Sequence, residues 1–262
     1  MAFPRRRAVS LVLVAATCAG LPAGALAADA WRPAMHRAER YASHRRGIVA
    51  FAVRTPTRAW GWHSRVTFPS ASVLKPMLLA AYLTRGSVRA RPLRRWERRM
   101  LGPMIRRSDN GAAGRVVGIV GARGLRRVAR RARMRRFSPV TGIWGLSRID
   151  AEDQARFFLH IDRVLPPRHR AYAMRLLGSI VPSQRWGIGR VRPRGWRLYF
   201  KGGWGSGTGW VDHQVALLER GDQRVSVAIL THLDGSHPYG KETLRGIAKR
   251  LLRGLAAAPA VP

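Results

Sequence analysis

Cysteine is nearly absent: there is one, Cys18, among 262 residues. A lone thiol makes no intramolecular disulfide and no Cys-based metal site, so the fold must rest on its core. Lysine is almost as scarce. Of 49 basic residues only four are Lys, at positions 75, 201, 241 and 249, and the others are Arg. Acidic residues number 13, with none from Gly111 to Ile149. The eight His residues show no H-x-H or H-E-x-x-H spacing, which removes the usual zinc-hydrolase pattern. Gly203, Gly205, Gly207 and Gly209 alternate without the G-x-G-x-x-G spacing of a phosphate cradle, and Trp204 breaks the G-x-S-x-G elbow around Ser206. No metal and no cofactor is expected.

The only long apolar run lies at the start. Arg5, Arg6 and Arg7 precede apolar residues from Val9 to Leu26, and Ala25-Leu26-Ala27 offers small residues at cleavage spacing. This pattern predicts a signal peptide over residues 1–27, and hence a secreted, periplasmic or cell-wall-associated protein. The run is too short and too rich in Gly and Ala to span a membrane convincingly. Cys18 falls inside it, so the mature chain has no thiol.

Net charge is +36, and removing residues 1–27 takes away three arginines and no acid, leaving +33. Such a surplus favours polyanions: acidic wall polymers, anionic lipid or nucleic acid. Its near-uniform Arg character reads as a compositional habit of a solvated surface. No zinc-finger, RNA-binding or homeodomain pattern is present, so no specific nucleic-acid partner is expected. The sharpest basic stretch, Arg123 to Arg136, reads as a solvated helix face, with docking to an acidic wall polymer or a membrane surface as the alternative.

Hydrophobic residues make up 46% of the chain, enough for one core and a single domain over residues 28–262. A helix is expected over Trp31–Tyr41, then a strand over Ile48–Val53 and a returning strand over Trp60–His63. Helical spacing recurs through Tyr82, in Leu93–Ile105, in Ala112–Val120, in Leu125–Met134, and from Asp150 to Leu165. After Trp196 the pattern becomes strand-like at 197–201, 211–218 and 224–230, and residues 219–223 suit a hairpin. An amphipathic helix with Leu244, Ile247, Ala248, Leu251 and Leu252 on one face closes the chain. Strands at both ends with helices between them predict an α+β domain whose sheet joins the two chain ends.

Three short motifs occur in order. Phe68-Pro69-Ser70-Ala71-Ser72-Val73-Leu74-Lys75 contains S-x-x-K, Ser108-Asp109-Asn110 is S-D-N, and Lys201-Gly202-Gly203 ends a strand. Residues three apart on a helix share a face, so Lys75 can reach the Ser72 hydroxyl. A helix N-terminus offers free N–H groups and partial positive charge to an alkoxide. A buried Lys among cations can lose its proton and serve as a base, which Arg cannot. Two of the four lysines stand at motif positions in a chain where Arg has replaced Lys almost everywhere else.

With these motifs the chain resembles the class A β-lactamase-related, penicillin-recognising serine hydrolases. The likeness covers nearly the whole mature sequence, including Phe68-Pro69 before Ser72 and Met104-Ile105 before Ser108. It implies a β-lactamase/transpeptidase-like fold: a five-stranded antiparallel sheet flanked by helices, with an inserted all-helical lobe. The sheet lobe would cover about 28–66 and 195–262, and the helical lobe about 67–194. Ser72 would be the nucleophile, Lys75 the general base, and Ser108 the proton donor to the leaving nitrogen. Asn110 would hold the substrate amide and Lys75. Lys201 would bind the substrate carboxylate, with Gly203 beside it. The backbone N–H groups of Ser72 and Trp204 would form the oxyanion hole. Implied substrates are a β-lactam or a peptidoglycan stem peptide, acted on by a monomer. The alternatives are a D-Ala-D-Ala carboxypeptidase or transpeptidase, and a catalytically quiet cationic wall-binding protein.

The chain departs from this pattern in three places. Gly202 stands where the third motif usually carries a hydroxyl, and the stretch from Ser72 to Ser108 is short. The Glu that activates water for hydrolysis of the acyl-enzyme has no counterpart between Gly111 and Ile149. Asp150, Glu152 and Asp153 follow, and they read as the acidic first turn of a helix. Acylation is therefore expected to outrun deacylation.

Overall fold

The computed structural model describes residues 31–257. The predicted signal peptide over residues 1–27 and Cys18 lie outside the described residues.

The chain opens with helix α1 (Met35–Ser43), strand β1 (Ile48–Arg54) and strand β2 (Ala59–Trp62). It closes with β5 (Arg197–Gly205), β6 (Val211–Arg220), β7 (Gln223–His232) and helix α10 (His237–Leu251). These strands form one antiparallel sheet of order β2-β1-β7-β6-β5. The first strand thus lies against the last, with Phe51 opposite Ile229, while Lys201 stands opposite Val215 and Gly203 opposite His213. The five-stranded sheet and the α+β class are as expected. The hairpin between β6 and β7 closes through Gly221 and Asp222, with Gly221 at φ 54° supplying the positive φ of such a tight turn.

β6 and β7 are buried along most of their length without alternation, so both faces of the sheet are covered. Helices α6 (Ala151–Leu159) and α10 both pack on these central strands. Helix α1 lies on α10, where Gly246 admits the ring of Tyr41.

Between the two halves of the sheet run α2 (Lys75–Leu83), α3 (Gly86–Arg89), α4 (Arg95–Arg106), α5 (Asn110–Arg131), α6, α7 (Ile161–Val164), α8 (Pro167–Gly178) and α9 (Ile188–Val191). All nine residues of α2 are buried, which marks it as the central helix of this lobe. Glu97 fastens the start of α4 to it. That carboxylate is fully buried, accepts from Tyr82 Oη (2.8 Å) and Arg94 N (2.6 Å), and pairs with Arg91. These contacts hold its pKa down near 2, the Arg91 bonds contributing most. The two helices expected at 112–120 and 125–134 are the halves of α5, which kinks at Gly121 (φ 57°, ψ −176°).

Some details differ from expectation. The first helix begins at Met35 rather than Trp31. The helix expected from Asp150 to Leu165 breaks at His160 (φ −119°), which lets Ile161 and Val164 of α7 turn inward. The inserted lobe is also not wholly helical. Strands β3 (Thr67–Pro69) and β4 (Arg148–Asp150) pair antiparallel and tie the chain just before Ser72 to the entrance of α6.

Candidate active site

The segment leading into the site is clamped from both sides. Ser70 donates its backbone N–H to Ser147 O (2.8 Å), and its hydroxyl donates to Gly145 O (3.3 Å). His213 reaches Pro69 O through Nε2 (2.8 Å), while its Nδ1 accepts from Thr231 N (3.2 Å). Burial lowers its pKa to about 4, so His213 is a neutral packing residue, as its strand position suggests.

Ser72 lies on a single 3₁₀ turn (Ala71–Leu74) that passes directly into α2 at Lys75. Side chains at i and i+3 eclipse in a 3₁₀ helix, and Lys75 Nζ sits 2.8 Å from Ser72 Oγ. Pro76 stands at the first turn of α2, where its missing N–H has no partner to lose. That placement accommodates the Pro directly after Lys75. The backbone is held in the left-handed region at Ala71 (φ 41°) and at Ser108 (φ 60°). Non-glycine residues in this region store strain of order 1 kcal/mol each, and such strain gathers at functional sites.

Lys75 joins the first two motifs. Beyond Ser72, its Nζ lies 2.9 Å from Ser108 Oγ, 2.6 Å from Ser108 O and 2.8 Å from Asn110 Oδ1. Four oxygens surround a nitrogen that carries at most three protons, so one contact can serve as a proton path toward it. Asp109 does not approach in this way: its side chain caps α5 by accepting from Ala112 N (2.7 Å). Burial lowers the Lys75 pKa to about 7, against the opposing pull of Asp109. A substantial neutral fraction is then present at neutral pH, which a general base requires.

Lys201 reaches the same centre from β5. It is fully buried, and its Nζ donates to Ser108 Oγ (3.0 Å) and to Gly202 O (2.6 Å). Burial, with Lys75 nearby, pushes its pKa well below the ordinary range. Gly203 passes so close to the turn carrying Ser72 that a Cβ there would stand 2.8 Å from both Ser72 N and Val73 N. β5 is an edge strand, so alternate backbone groups of β5 are free of the ladder on this side. Ser72, Lys75, Ser108, Asn110, Lys201 and Gly203 are therefore brought together.

Four aromatic residues complete the walls, and their spacing in the sequence does not announce them. Trp144 places its ring 5.1 Å from Lys75 Nζ. Trp186 fills the space beside Gly202, where a Cβ would stand 3.1 Å from its ring carbons. Trp204 meets Trp186 edge to face (5.7 Å between centroids) and stacks on His237 (5.5 Å). His237 Nδ1 lies 2.6 Å from Asp212 Oδ1, and burial raises the Asp212 pKa to about 6.

The acids after Ile149 are occupied elsewhere. Asp150 caps α6 by accepting from Asp153 N (2.9 Å). Glu152 pairs with Arg65 (3.0 Å) and Arg156 (2.8 Å). Asp153 accepts from the backbone of Arg135 (2.6 Å) and Arg136 (2.8 Å) and pairs with Arg156. Their reading as a helix start holds. Among the described residues no group of three or more His, Cys, Asp or Glu could hold a metal ion, and no helix is long and apolar enough to cross a membrane.

The fold is that of class A β-lactamases. The chain is similar to a β-lactamase from Xanthomonas campestris pv. campestris (16% identity, TM-score 0.73, 85% of this chain and 97% of that one). It is also similar to a β-lactamase from Sphaerobacter thermophilus (19%, 0.70, 91% and 99%) and to PBP-A (16%, 0.69, 86% and 96%). Residues 98–255 match the model of the β-lactamase enzyme family, and the chain belongs to that family. The matched stretch includes Ser108, Asn110, Lys201 and Gly203 and begins after Ser72 and Lys75. No curated protein matches the sequence.

Proposed function

We propose that the chain is an exported serine hydrolase in which Ser72 forms an acyl-enzyme with a β-lactam or a related amide and releases it slowly. The observation that carries this reading is Lys75 Nζ, 2.8 Å from Ser72 Oγ with its pKa lowered to about 7. Neutral Lys75 takes the Ser72 proton as Oγ attacks the carbonyl carbon. The N–H groups of Ser72 and Trp204 stabilise the resulting oxyanion, and such donors are worth about 10²–10³ in rate. Ser108, held between Lys75 and Lys201, then passes a proton to the leaving nitrogen as the C–N bond breaks.

Deacylation needs a second proton acceptor for water. The nearest sequence candidate, Glu152, is ion-paired with Arg65 and Arg156. The indole of Trp144 lies over Lys75, and an aromatic ring holds no hydrolytic water. A mass adduct on Ser72 that persists for many minutes after exposure to penicillin is expected. Rapid nitrocefin turnover would refute slow deacylation. A stem peptide ending in D-Ala-D-Ala is the alternative acyl donor, and release of D-Ala from a pentapeptide would identify it.

A second reading rests on a separate feature. A groove of about 1030 Å³ between α1 and α10 is lined by Arg37, Arg40, Tyr41, His44, Lys249, Arg250 and Arg253. Among the described residues no carboxylate lines it, so it suits an anionic wall polymer. Salt-reversible binding to cell walls that survives loss of Ser72 but not loss of these arginines is the expected result.

A further inference from the structure

β1 and β6 begin, and β7 ends, at the same end of the sheet. Two backbone bonds close that end: Leu233 N donates to Gly209 O (3.1 Å), and Asp234 N to Trp210 O (3.3 Å). They hold Trp210 beside Leu233. Gly47 lies against the same turn, since a Cβ on it would stand 2.7 Å from Leu233 C and O, and Ile48 follows it opposite His232. The three apolar side chains gathered here face water: Trp210 is 49% exposed, Leu233 53% and Ile48 42%. The turn carrying Trp210 also abuts the loop that carries Ile143, which is 66% exposed. A Cβ on Gly145 would stand 3.4 Å from Thr208 Cγ2 and 3.7 Å from Ala71 Cα, so the patch borders the turn carrying Ser72.

The backbone under the patch is strained. Trp210 (φ 52°) and Leu233 (φ 61°) both lie in the left-handed region, where a Cβ crowds the carbonyl oxygen and bulky residues are rare. Gly or Asn would fit either position without that strain. The domain thus keeps two large apolar residues where neither the backbone nor the solvent favours them, and packing within the domain does not account for them.

The surroundings are cationic. Arg46 is exposed and lies along the turn, its Nη1 2.9 Å from where a Cβ on Gly235 would stand. Arg148 is also exposed, and after burial its charge is the next influence holding His232 below the ordinary pKa. Asp234, the acid of this turn, is buried and accepts from Thr231 Oγ1 (2.7 Å). A second copy of the chain would bring its own net charge of +36, and like charges repel. A soluble polyanion would satisfy the arginines but leave the indole and the aliphatic tips in water. An anionic bilayer satisfies both, since its headgroups pair with guanidinium groups and its interface takes up Trp and aliphatic side chains.

We propose that Ile48, Ile143, Trp210 and Leu233, rimmed by Arg46 and Arg148, dock the protein on an anionic lipid surface with the Ser72 turn held beside the headgroups. The docking is independent of the acyl-enzyme reading. The test is co-sedimentation of the full chain with vesicles of phosphatidylcholine and phosphatidylglycerol, about three to one, at about 0.15 M salt. The double variant Trp210→Asn with Leu233→Asn keeps the charge and tolerates the left-handed backbone, so it is expected to melt no lower than the parent. It is expected to bind these vesicles roughly tenfold more weakly, as is the parent to vesicles of phosphatidylcholine alone. Equal binding of parent and double variant would show that charge alone holds the protein, and would overturn the patch. Binding by the parent that ignores phosphatidylglycerol, or no binding, would overturn the anionic surface. Dimerisation of the parent in solution, lost in the double variant, would overturn the proposal in favour of a second copy. Should the double variant not melt cooperatively, Ile143→Ser carries the same comparison, with an expected loss of about threefold.

Discussion

Two polar clusters stand on either side of the β3–β4 ladder, and they are built on opposite principles. Around Ser72 the charged groups are two buried lysines, the acceptors are hydroxyls and amide oxygens, and among the described residues no carboxylate bonds either lysine. At the start of α6 three carboxylates gather within four residues, each held by an arginine or a helix-terminal N–H. A buried cation without a counter-ion shifts toward its neutral form, whereas at the start of α6 Arg65 and Arg156 hold Glu152 below its ordinary pKa against its burial, and burial pushes Asp150 up to about 7. The first arrangement suits proton transfer, and the second braces a helix start. The contrast shows that an acid after the second motif need not be an acid for the chemistry.

The comparison is broken most completely by Ser72→Ala, which is expected to abolish every covalent adduct while leaving the melting profile intact. Gly203→Ala comes next. Its Cβ would press on the N–H groups of Ser72 and Val73, and acylation is expected to fall by about 10²–10³, as when an oxyanion donor is lost. The pH dependence is the third test. Lys75 must be neutral to act, so the acylation rate should rise with pH and level off above about 7. The same group links to stability. Its folded pKa lies below the ordinary value of 10.5, so the unfolded chain binds more protons between about pH 7 and 10.5. Its contribution therefore grows as pH rises through that window, and Lys75→Met should flatten the slope in denaturant titrations.

On the structural side, Asp153→Ala leaves the backbone N–H groups of Arg135 and Arg136 without their acceptor. It is expected to cost about 1–3 kcal/mol in denaturant unfolding, with acylation of the folded protein unchanged. The smallest effect is assigned to Glu152→Gln. Its ion pairs reach the surface at Arg65, and such pairs are worth about 0–1 kcal/mol. The lifetime of the Ser72 adduct should not change, and a lengthened lifetime would make Glu152 a hydrolytic base after all.

The cluster of Ser72, Lys75, Ser108 and Lys201 was legible because its lysines are rare. In a chain with so few lysines, Lys75 and Lys201 stand out, and their spacing to Ser72 and Ser108 follows from helix and strand geometry. The long strands of the sheet were legible from their β-rich runs. β3 and β4, three residues each, are too short to show a period. Helix α8 hides its apolar positions Ala173, Leu176 and Leu177 among arginines. The aromatic wall was legible least. Trp144 comes from a single 3₁₀ turn and Trp186 from a loop, and only the tertiary fold brings them to Lys75 and Gly202. The glycine at 202 was the one available clue, since an absent side chain often marks an intruding neighbour.

The strand order has a consequence for how the molecule is made. β1 borders β2 on one side and β7 on the other, and Phe51 finds Ile229 only after nearly all the chain exists. Trp31 likewise donates its indole N–H to Arg253 O (3.0 Å), stitching the first described residue to the turn that follows α10. During synthesis the β1–β2 hairpin can close locally, but its other edge stays open. Contacts of such sequence separation slow folding and leave an apolar edge available for mispairing. Assembly of the sheet is therefore a late, concerted event, and the Ser72 turn, braced by His213 of β6, gains its final shape only when that event is over.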